Sequence, residues 1–282
     1  MLRQSAHRSL ELRIAKRRTA QLLDDPKARE HARLQMAFVL EKSRPDADIE
    51  AAAERYIEIS SMRPFYRWNP KLASKLTVID DHYFDALQHK TGGVLAFCHH
   101  GQYDNLAAAM ARYKLDLHIA VDGFGLSAEA EPFHRQHYRV VGRGAASLVN
   151  VDVEPQRLGE LVMEGENIVL APDVPGRTPA TIFGRDVLGS FGAALLPFKT
   201  GKPLVLLTNE LDADGVLVAR AHEPLMPADF EKPMDLHLAM LAIFEKAVLD
   251  LPEFYERPLT RFDFPADSPD EAKFRIDGPF VV

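Results

Sequence analysis

A histidine and an aspartate five residues apart are the residues of this chain best suited to acid–base chemistry. His99 and Asp104 lie in the run from Phe97 to Asn105. The apolar residues at 94–98 predict a short buried strand, and the apolar residues after Asn105 predict the start of a helix. A glycine corner between the two would fold the carboxylate back beside the imidazole. We interpret His99 as a general base for an attacking hydroxyl and Asp104 as the group that orients it.

Two neighbouring side chains offer alternative interpretations. Cys98 could be a thiol nucleophile, but successive strand side chains point to opposite faces. Cys98 is therefore expected to face the core if His99 faces a cleft. His100 could replace His99 as the base, but only His99 has the five-residue offset to Asp104.

The histidines also raise the question of a metal site. The pair with a suitable spacing is His134 and His137, which stand at a helical i, i+3 offset. A zinc site needs further ligands in a recognisable pattern, and no accompanying carboxylates complete one here. We therefore expect no metal.

A second polar stretch follows another predicted strand, at 167–171. Asp173, Gly176 and Arg177 stand in a proline- and glycine-rich loop directly after it. In open α/β sheets ligands bind at the carboxyl ends of the strands, so Asp173 and Arg177 would face His99 if the two strands are parallel neighbours. The alternative is a turn in which Asp173 caps local backbone amides.

A third stretch, from Ile182 to Ala193, is rich in glycine and apolar residues. It includes Phe183 and Gly184. It could let an acyl chain or a pantetheine arm pass close to the backbone. It could equally be a loop that packs on the core.

Composition limits the class of protein. The 282 residues suffice for one large α/β domain, and 46% of them are hydrophobic. A net charge of −7 argues against nucleic acid as a main partner. One cysteine permits no internal disulfide and favours a reducing compartment. With no 18-residue apolar run and no apolar secretory signal at the start, we expect a cytoplasmic protein.

The order of the predicted elements indicates an α/β fold with a helical N-terminal cap. Helices are predicted at 8–42 and after Asp46, followed by an irregular connector from Arg63. Strands are predicted at 76–79, 94–98, 117–121, 138–141, 167–171 and 203–211, with helices at 80–89, 105–113, after Pro155 and at 235–249. A late antiparallel hairpin joins 203–211 to 216–221. We expect a central, mostly parallel sheet flanked by helices. The boundaries are a cap at 1–75, a core at 76–262 and an extended tail at 263–282.

The N-terminal arm is basic although the protein is acidic. Six cations face one acidic residue in the first eighteen residues, namely Arg3, Arg8, Arg13, Lys16, Arg17 and Arg18 against Glu11. A solvated helix face is one interpretation. An arm that contacts anionic headgroups or an acidic carrier protein is the other.

These stretches, taken in order from about Arg33 to Phe262, resemble the lauroyl-type lipid A acyltransferases and related enzymes of the lysophospholipid acyltransferase superfamily. The family's His-x4-Asp/Glu motif is matched by His99 to Asp104. Its later acidic-Gly-Arg block is matched by Asp173, Gly176 and Arg177. Phe183-Gly184, Gly192-Ala193 and the run from Thr200 to Val205 are similar to the family's Phe-Gly, Gly-Pro-Ala and Thr-Gly-x-Pro-Val-Val progression.

The resemblance implies transfer of a fatty acyl group from an acyl carrier protein or coenzyme A thioester to a hydroxyl, with no cofactor. His99 would deprotonate the acceptor and Asp104 would orient His99. Arg143 and Arg177 are the candidates for contact with the oxyanion or with a phosphate. Asp173, Gly176, Phe183 and Gly184 complete the expected substrate-binding set.

The acceptor implied is a lipid or glycolipid, met at the inner face of the cell membrane by peripheral contact. Gln102-Tyr103 replaces the family's usual Asn-Trp, and the family's N-terminal membrane helix is absent. A soluble or carrier-bound acceptor is therefore an alternative. A thioesterase and a non-catalytic protein that binds an acyl chain are further alternatives.

Overall fold

Three helices form the N-terminal part of the molecule. The computed structural model describes residues 2–68, 76–88 and 90–274. The helices are α1 (Leu2–Asp24), α2 (Pro26–Leu40) and α3 (Ile49–Trp68). No helix in these ranges is long and apolar enough to cross a membrane.

Local capping explains where these helices begin and corrects their predicted bounds. The single helix expected at 8–42 is two, because Asp25 accepts a hydrogen bond from the Lys27 amide and Pro26 starts α2. Asp48, rather than Asp46, accepts the bond from the Ala51 amide at the start of α3. The connector expected from Arg63 is helical as far as Trp68, and its remainder at 69–75 lies outside the described residues.

Seven strands form the central sheet, in the order β1-β9-β8-β2-β5-β3-β4. They are β1 (Val78–Ile79), β2 (Gly93–Phe97), β3 (Leu117–Val121), β4 (Ser147–Asn150), β5 (Asn167–Leu170), β8 (Leu204–Leu211) and β9 (Leu217–Ala221). Only the β8–β9 pairing is antiparallel, which confirms the late hairpin. A separate antiparallel hairpin, β6 (Pro175–Ile182) and β7 (Arg185–Gly189), occupies the stretch expected to be a glycine-rich loop.

Helices connect and cover these strands. They are α4 (Leu106–Met110), α5 (Gly123–Leu126), α6 (Pro132–Val141), α7 (Pro155–Met163), α8 (Gly192–Thr200), α9 (Pro233–Asp250) and α10 (Pro269–Phe274). Short 3₁₀ helices lie at Asp81–Leu87, Tyr103–Asn105, Ala111–Tyr113, Pro227–Asp229, Pro252–Phe254 and Pro258–Thr260. The fold is α/β, as predicted. The prediction of a strand at 138–141 is wrong, because these residues form the last turn of α6.

β2 lies at the centre of the sheet and is buried on both faces. Val94 and Ala96 belong to the core on one face of the sheet, and Leu95 and Phe97 belong to the core on the other. Leu95 is fully buried, so its replacement by alanine is expected to cost about 2–5 kcal/mol of stability. The residues that follow β2 are therefore held by a rigid strand.

The segment 263–274, expected to be an extended tail, packs on the body of the protein. Helix α10 lies within it, and Phe274 is only 2% exposed. The fully buried Arg185 forms an ion pair with Asp270 and donates to the Phe38 carbonyl at 2.8 Å. Residues 275–282 lie outside the described residues.

Candidate active site at the carboxyl edge of the sheet

His99 lies just beyond the carboxyl end of β2, where the side-chain alternation of the strand determines which groups reach the site. Cys98 packs in the core with Val94 and Ala96 and is 3% exposed. Burial raises the pKa of the Cys98 thiol well above 9, so it is not a thiolate at neutral pH. The side chain of His99 is 15% exposed. This placement agrees with the prediction that Cys98 faces the core.

Asp173 holds His99 through two contacts. β2 and β5 are parallel neighbours, so the loops after both strands emerge at one edge of the sheet. The His99 amide donates to Asp173 Oδ2 at 2.7 Å, and His99 Nδ1 lies 3.0 Å from Asp173 Oδ1. A carboxylate accepts only, so the ring proton belongs on Nδ1 and the lone pair on Nε2. Asp173 therefore fixes the tautomer that a general base requires.

The role expected of Asp104 thus falls geometrically to Asp173, which is a correction. Asp104 lies in the 3₁₀ helix Tyr103–Asn105, and its Oδ1 is 3.0 Å from Nδ1 of His137 on α6. Asp104 lies near His99 because only five positions separate them in the sequence, but its carboxylate contacts His137. His137, considered above only as a metal ligand, is a site residue that the sequence did not reveal.

Burial lowers the pKa of His99 below its usual 6.5, and the positive charge of Arg261 acts in the same direction. The carboxylate of Asp173 opposes this shift. Because the net shift is downward, the imidazole is neutral at pH 7 and able to accept a proton.

Tyr103 links the two histidines to a buried carboxylate. Its ring makes edge contacts with His99, at 4.7 Å between centroids, and with His137, at 6.1 Å. Its hydroxyl donates a hydrogen bond to Glu256. Arg63 and Arg261 lie 3.9 and 3.6 Å from Oε2 of Glu256. The two cations compensate for the buried negative charge.

The same two arginines connect the site to more distant parts of the chain. Arg63 on α3 donates to the carbonyls of Gly101 and Phe254, at 3.2 and 3.1 Å.

Burial acts against the charge of Arg261, but nearby Tyr103 and anionic groups that include Asp173 hold its pKa above the usual value. Neither Glu256 nor Arg261 was singled out from the sequence. The signal in the sequence is the pair of flanking aromatic residues, Tyr255 and Phe262, which are both buried in the structure.

Main-chain hydrogen bonds to residues 254–256 hold the loop after β2 in place. The Gly101 amide donates to the Phe254 carbonyl at 3.1 Å, and the Glu256 amide donates to the His99 carbonyl at 2.8 Å. Asn209 at the end of β8 donates to the His100 carbonyl at 2.9 Å. Gly101 has φ +65°, and a Cβ there would lie 2.3 Å from Asn209 Cγ. Glycine is therefore required at this corner.

The remaining predicted substrate-binding residues fall into two groups. Arg143 is exposed in the turn after α6, and the exposed Arg177 lines a cavity of about 610 Å³ together with Gly176. Phe183 and Gly184 form the two-residue turn between β6 and β7, with φ of +55° and +66°. Such a turn explains the Phe-Gly pair by hairpin geometry. Phe183 is fully buried, so within the described contacts it serves packing.

Within the described ranges, no group of three or more His, Cys, Asp or Glu side chains could hold a metal ion. The chain matches no protein-family model, and no curated protein matches it. The fold and the site define an α/β protein with a His–Asp pair at the carboxyl edge of its sheet.

Proposed function

We propose that the protein is an acyltransferase that moves a fatty acyl group from a thioester to a hydroxyl, with His99 as general base. The observation that carries the proposal is the double contact of Asp173 with the amide and the ring of His99. It leaves Nε2 as the basic nitrogen and keeps the ring oriented, while burial keeps the ring neutral. Asp173 takes the orienting role that the sequence motif assigns to Asp104.

In the proposed reaction the acceptor hydroxyl attacks the thioester carbonyl directly. Its proton passes to Nε2 of His99, the new C–O bond forms, and the C–S bond breaks to release the thiol. Asp173 stabilises the imidazolium that forms, as a buried carboxylate does in a hydrolase triad. Arg177 and Arg143 remain the proposed contacts for the oxyanion or for a phosphate of the donor.

The proposed donor is the thioester of an acyl carrier protein or of coenzyme A, and the proposed acceptor is a lipid or glycolipid. The cavity at Arg177 supports such a substrate, because it also contains the apolar side chains of Leu259, Phe262 and Phe264. Gly176, three residues after Asp173, lies at the same cavity. Asp263 and Glu271 also line the cavity, so its polar part carries both signs of charge beside the apolar part that suits an acyl chain.

Helix α1 supports peripheral contact with an anionic membrane. Leu10 and Ile14 are 51% and 58% exposed, and they stand one helical turn apart with the exposed Arg17 on the same side. An exposed aliphatic pair next to a cation offers both an apolar and an electrostatic contact to an anionic lipid surface. We propose that this face lies on anionic lipid at the inner surface of the cell membrane.

Thioester consumption tests the proposed activity. Wild type, His99→Ala and Asp173→Asn are compared with long-chain acyl donors and cell extract as the acceptor pool, with products identified by mass spectrometry. We expect an acylated product that both variants lose. His82→Ala, a substitution of an exposed histidine in the 3₁₀ helix Asp81–Leu87, is the control and should retain the product.

Other outcomes would replace the proposal. Free fatty acid without an acylated product would indicate a thioesterase. Donor binding at one equivalent without turnover, unchanged by either substitution, would indicate a non-catalytic acyl-binding protein.

Flotation with vesicles tests the membrane contact. Wild type should float with phosphatidylglycerol vesicles and not with phosphatidylcholine vesicles, and the double variant Leu10→Gln/Ile14→Gln should stay in solution. Lys27→Gln removes an exposed cation from α2 and should float as wild type does. Binding of wild type to an acidic carrier protein with no flotation would overturn the lipid assignment.

A further inference from the structure

The site contains a second histidine–carboxylate pair that the proposed reaction has not used. Asp104 Oδ1 lies 3.0 Å from His137 Nδ1, and the two side chains are 5% and 20% exposed. Although the distance suits a hydrogen bond, the oxygen lies off the direction of the ring N–H. The pair is therefore a close contact between a carboxylate and a ring nitrogen, without an aligned hydrogen bond. Because Asp104 faces Nδ1 of His137, Nε2 of the same ring is left for other contacts.

Both pairs adjoin one aromatic ring. The Tyr103 ring makes edge contacts with His99, in the loop after β2, and with His137 on α6. α6 packs against the 3₁₀ helix that carries Tyr103 and Asp104. Two imidazoles, each with its own buried carboxylate, thus lie around one small site. Paired titratable groups in different surroundings are the usual arrangement for one proton acceptor and one proton donor.

We propose that His137, oriented by Asp104, donates a proton to the sulfur that leaves the acyl group. The proposal rests on the proposed acyl transfer and specifies its second proton transfer. His99 is fixed by two contacts to Asp173, so it is suited to receive the acceptor proton at one position and not to follow the leaving group. His137 is the more exposed and less constrained ring.

The proton balance closes without another reactant. The acceptor O–H proton passes to Nε2 of His99 as the C–O bond forms. The C–S bond then breaks, and the sulfur takes a proton from Nε2 of protonated His137, which gives a neutral thiol and a neutral His137. One proton returns from His99 to His137 through solvent before the next cycle.

The acidity of the leaving thiol provides the test. The cysteine thiol has a pKa of about 8.5, and coenzyme A is likewise an alkyl thiol, so a proton donor should help its departure. An aryl thiol is more acidic and leaves readily as the anion. Coenzyme A and nitrothiophenyl esters of the same acyl chain are compared as donors. His137→Gln should lower kcat/KM about 100-fold with the coenzyme A ester and less than about threefold with the aryl ester.

Three variants complete the experiment. Asp104→Asn should reproduce the donor dependence of His137→Gln, and His99→Ala should lower kcat/KM equally with both donors. His134→Gln alters the histidine one turn earlier on α6 and should have little effect on either donor. Equal loss with both donors in His137→Gln would overturn the proton-donor role.

Failure of this inference can be distinguished from failure of the proposed function. If wild type releases no thiol from either ester, both are overturned. If wild type transfers the acyl group and His137→Gln shows no donor dependence, only the role of His137 is overturned. The pairing itself is read from ring ¹⁵N resonances, which should move at His137 in Asp104→Asn and at His99 in Asp173→Asn. The reverse assignment would contradict the pairing.

Discussion

The two histidine–carboxylate pairs use the same side-chain types but are built in different ways. His99 and Asp173 come from loops after two parallel, hydrogen-bonded strands, and they share a ring contact and a backbone contact. His137 and Asp104 come from a helix and a 3₁₀ turn, and they share one close contact that is not an aligned hydrogen bond. Sheet topology, and not proximity in the sequence, therefore produces the rigid pair.

The largest expected effect comes from the rigid pair. In Asp173→Asn the amide can donate to Nδ1 of His99, which moves the ring proton to Nε2 and removes the base. By analogy with the same change in a hydrolase triad, we expect a loss of kcat of roughly 1000-fold or more. Steady-state kinetics beside Asp104→Asn check it. A larger loss in Asp104→Asn would reverse the comparison between the pairs.

The buried ring of His100, next to His99 in the chain, is expected to make the stability of the protein depend on pH. This ring is fully buried and its Nε2 lies 2.9 Å from the Leu251 carbonyl, while its Nδ1 has no hydrogen-bond partner. Burial lowers the pKa of His100 to about 4 from the usual 6.5. The unfolded chain therefore binds this proton first as the pH falls, and stability is lost between pH 6.5 and 4.

His100→Gln should remove that pH dependence. We expect wild type to lose about 3 kcal/mol from this group by pH 4, and the variant to lose correspondingly less. Urea unfolding at pH 7 and pH 4.5 measures the difference. His82→Gln, an exposed control, should follow wild type. A variant with the wild-type pH dependence would show that His100 is not a neutral, buried support.

The third prediction is the acid limb of the pH–rate profile. Because the pKa of His99 is lowered, the base stays neutral at pH 7 and becomes protonated only below pH 6.5. We expect kcat/KM to be level near neutrality and to fall about tenfold per pH unit below that pKa. His137→Gln should keep this limb. An acid limb above pH 6.5, or one that disappears in His137→Gln, would transfer the role of base to His137.

The smallest expected effect comes from the group that both pairs share. Tyr103→Phe keeps the ring contacts with both histidines and removes the hydroxyl that donates to buried Glu256. Loss of a hydrogen bond to a buried charge should cost about 1–3 kcal/mol of stability. Chemical unfolding measures this cost, and kinetics should show similar, small losses with coenzyme A and aryl esters. A loss confined to one donor would mean that Tyr103 serves only one pair.

Most strands of the sheet could be predicted from the sequence because they are apolar runs bounded by turns, whereas β4, with polar Ser147 and Asn150 at its ends, was not predicted. The parallel order of β2 and β5 then brings Asp173 to His99, as the rule for the carboxyl edge of α/β sheets implies. The pairing of Asp104 could not be predicted in this way. Its side-chain direction depends on the 3₁₀ turn at Tyr103–Asn105 and on the packing of α6, which spacing alone does not determine.

The other errors have local causes. The run Tyr138 to Val141 contains aromatic and β-branched residues, so it indicated a strand, but Pro132 at the first turn begins a helix that includes it. The segment 263–274 looked like a tail because of its prolines and aspartates. Buried Phe274 and the ion pair between Asp270 and the fully buried Arg185 show that tertiary contacts order it.

The main-chain bonds between the loop at His99 and residues 254–256 have a consequence for biosynthesis. Strand β2 leaves the ribosome more than 150 residues before the segment that fixes the loop after it. The nascent chain can therefore form much of the sheet while the site remains incomplete. Assembly of His99 with Tyr103, Glu256 and Arg261 is a late event, which delays any acid–base chemistry until translation has passed residue 261.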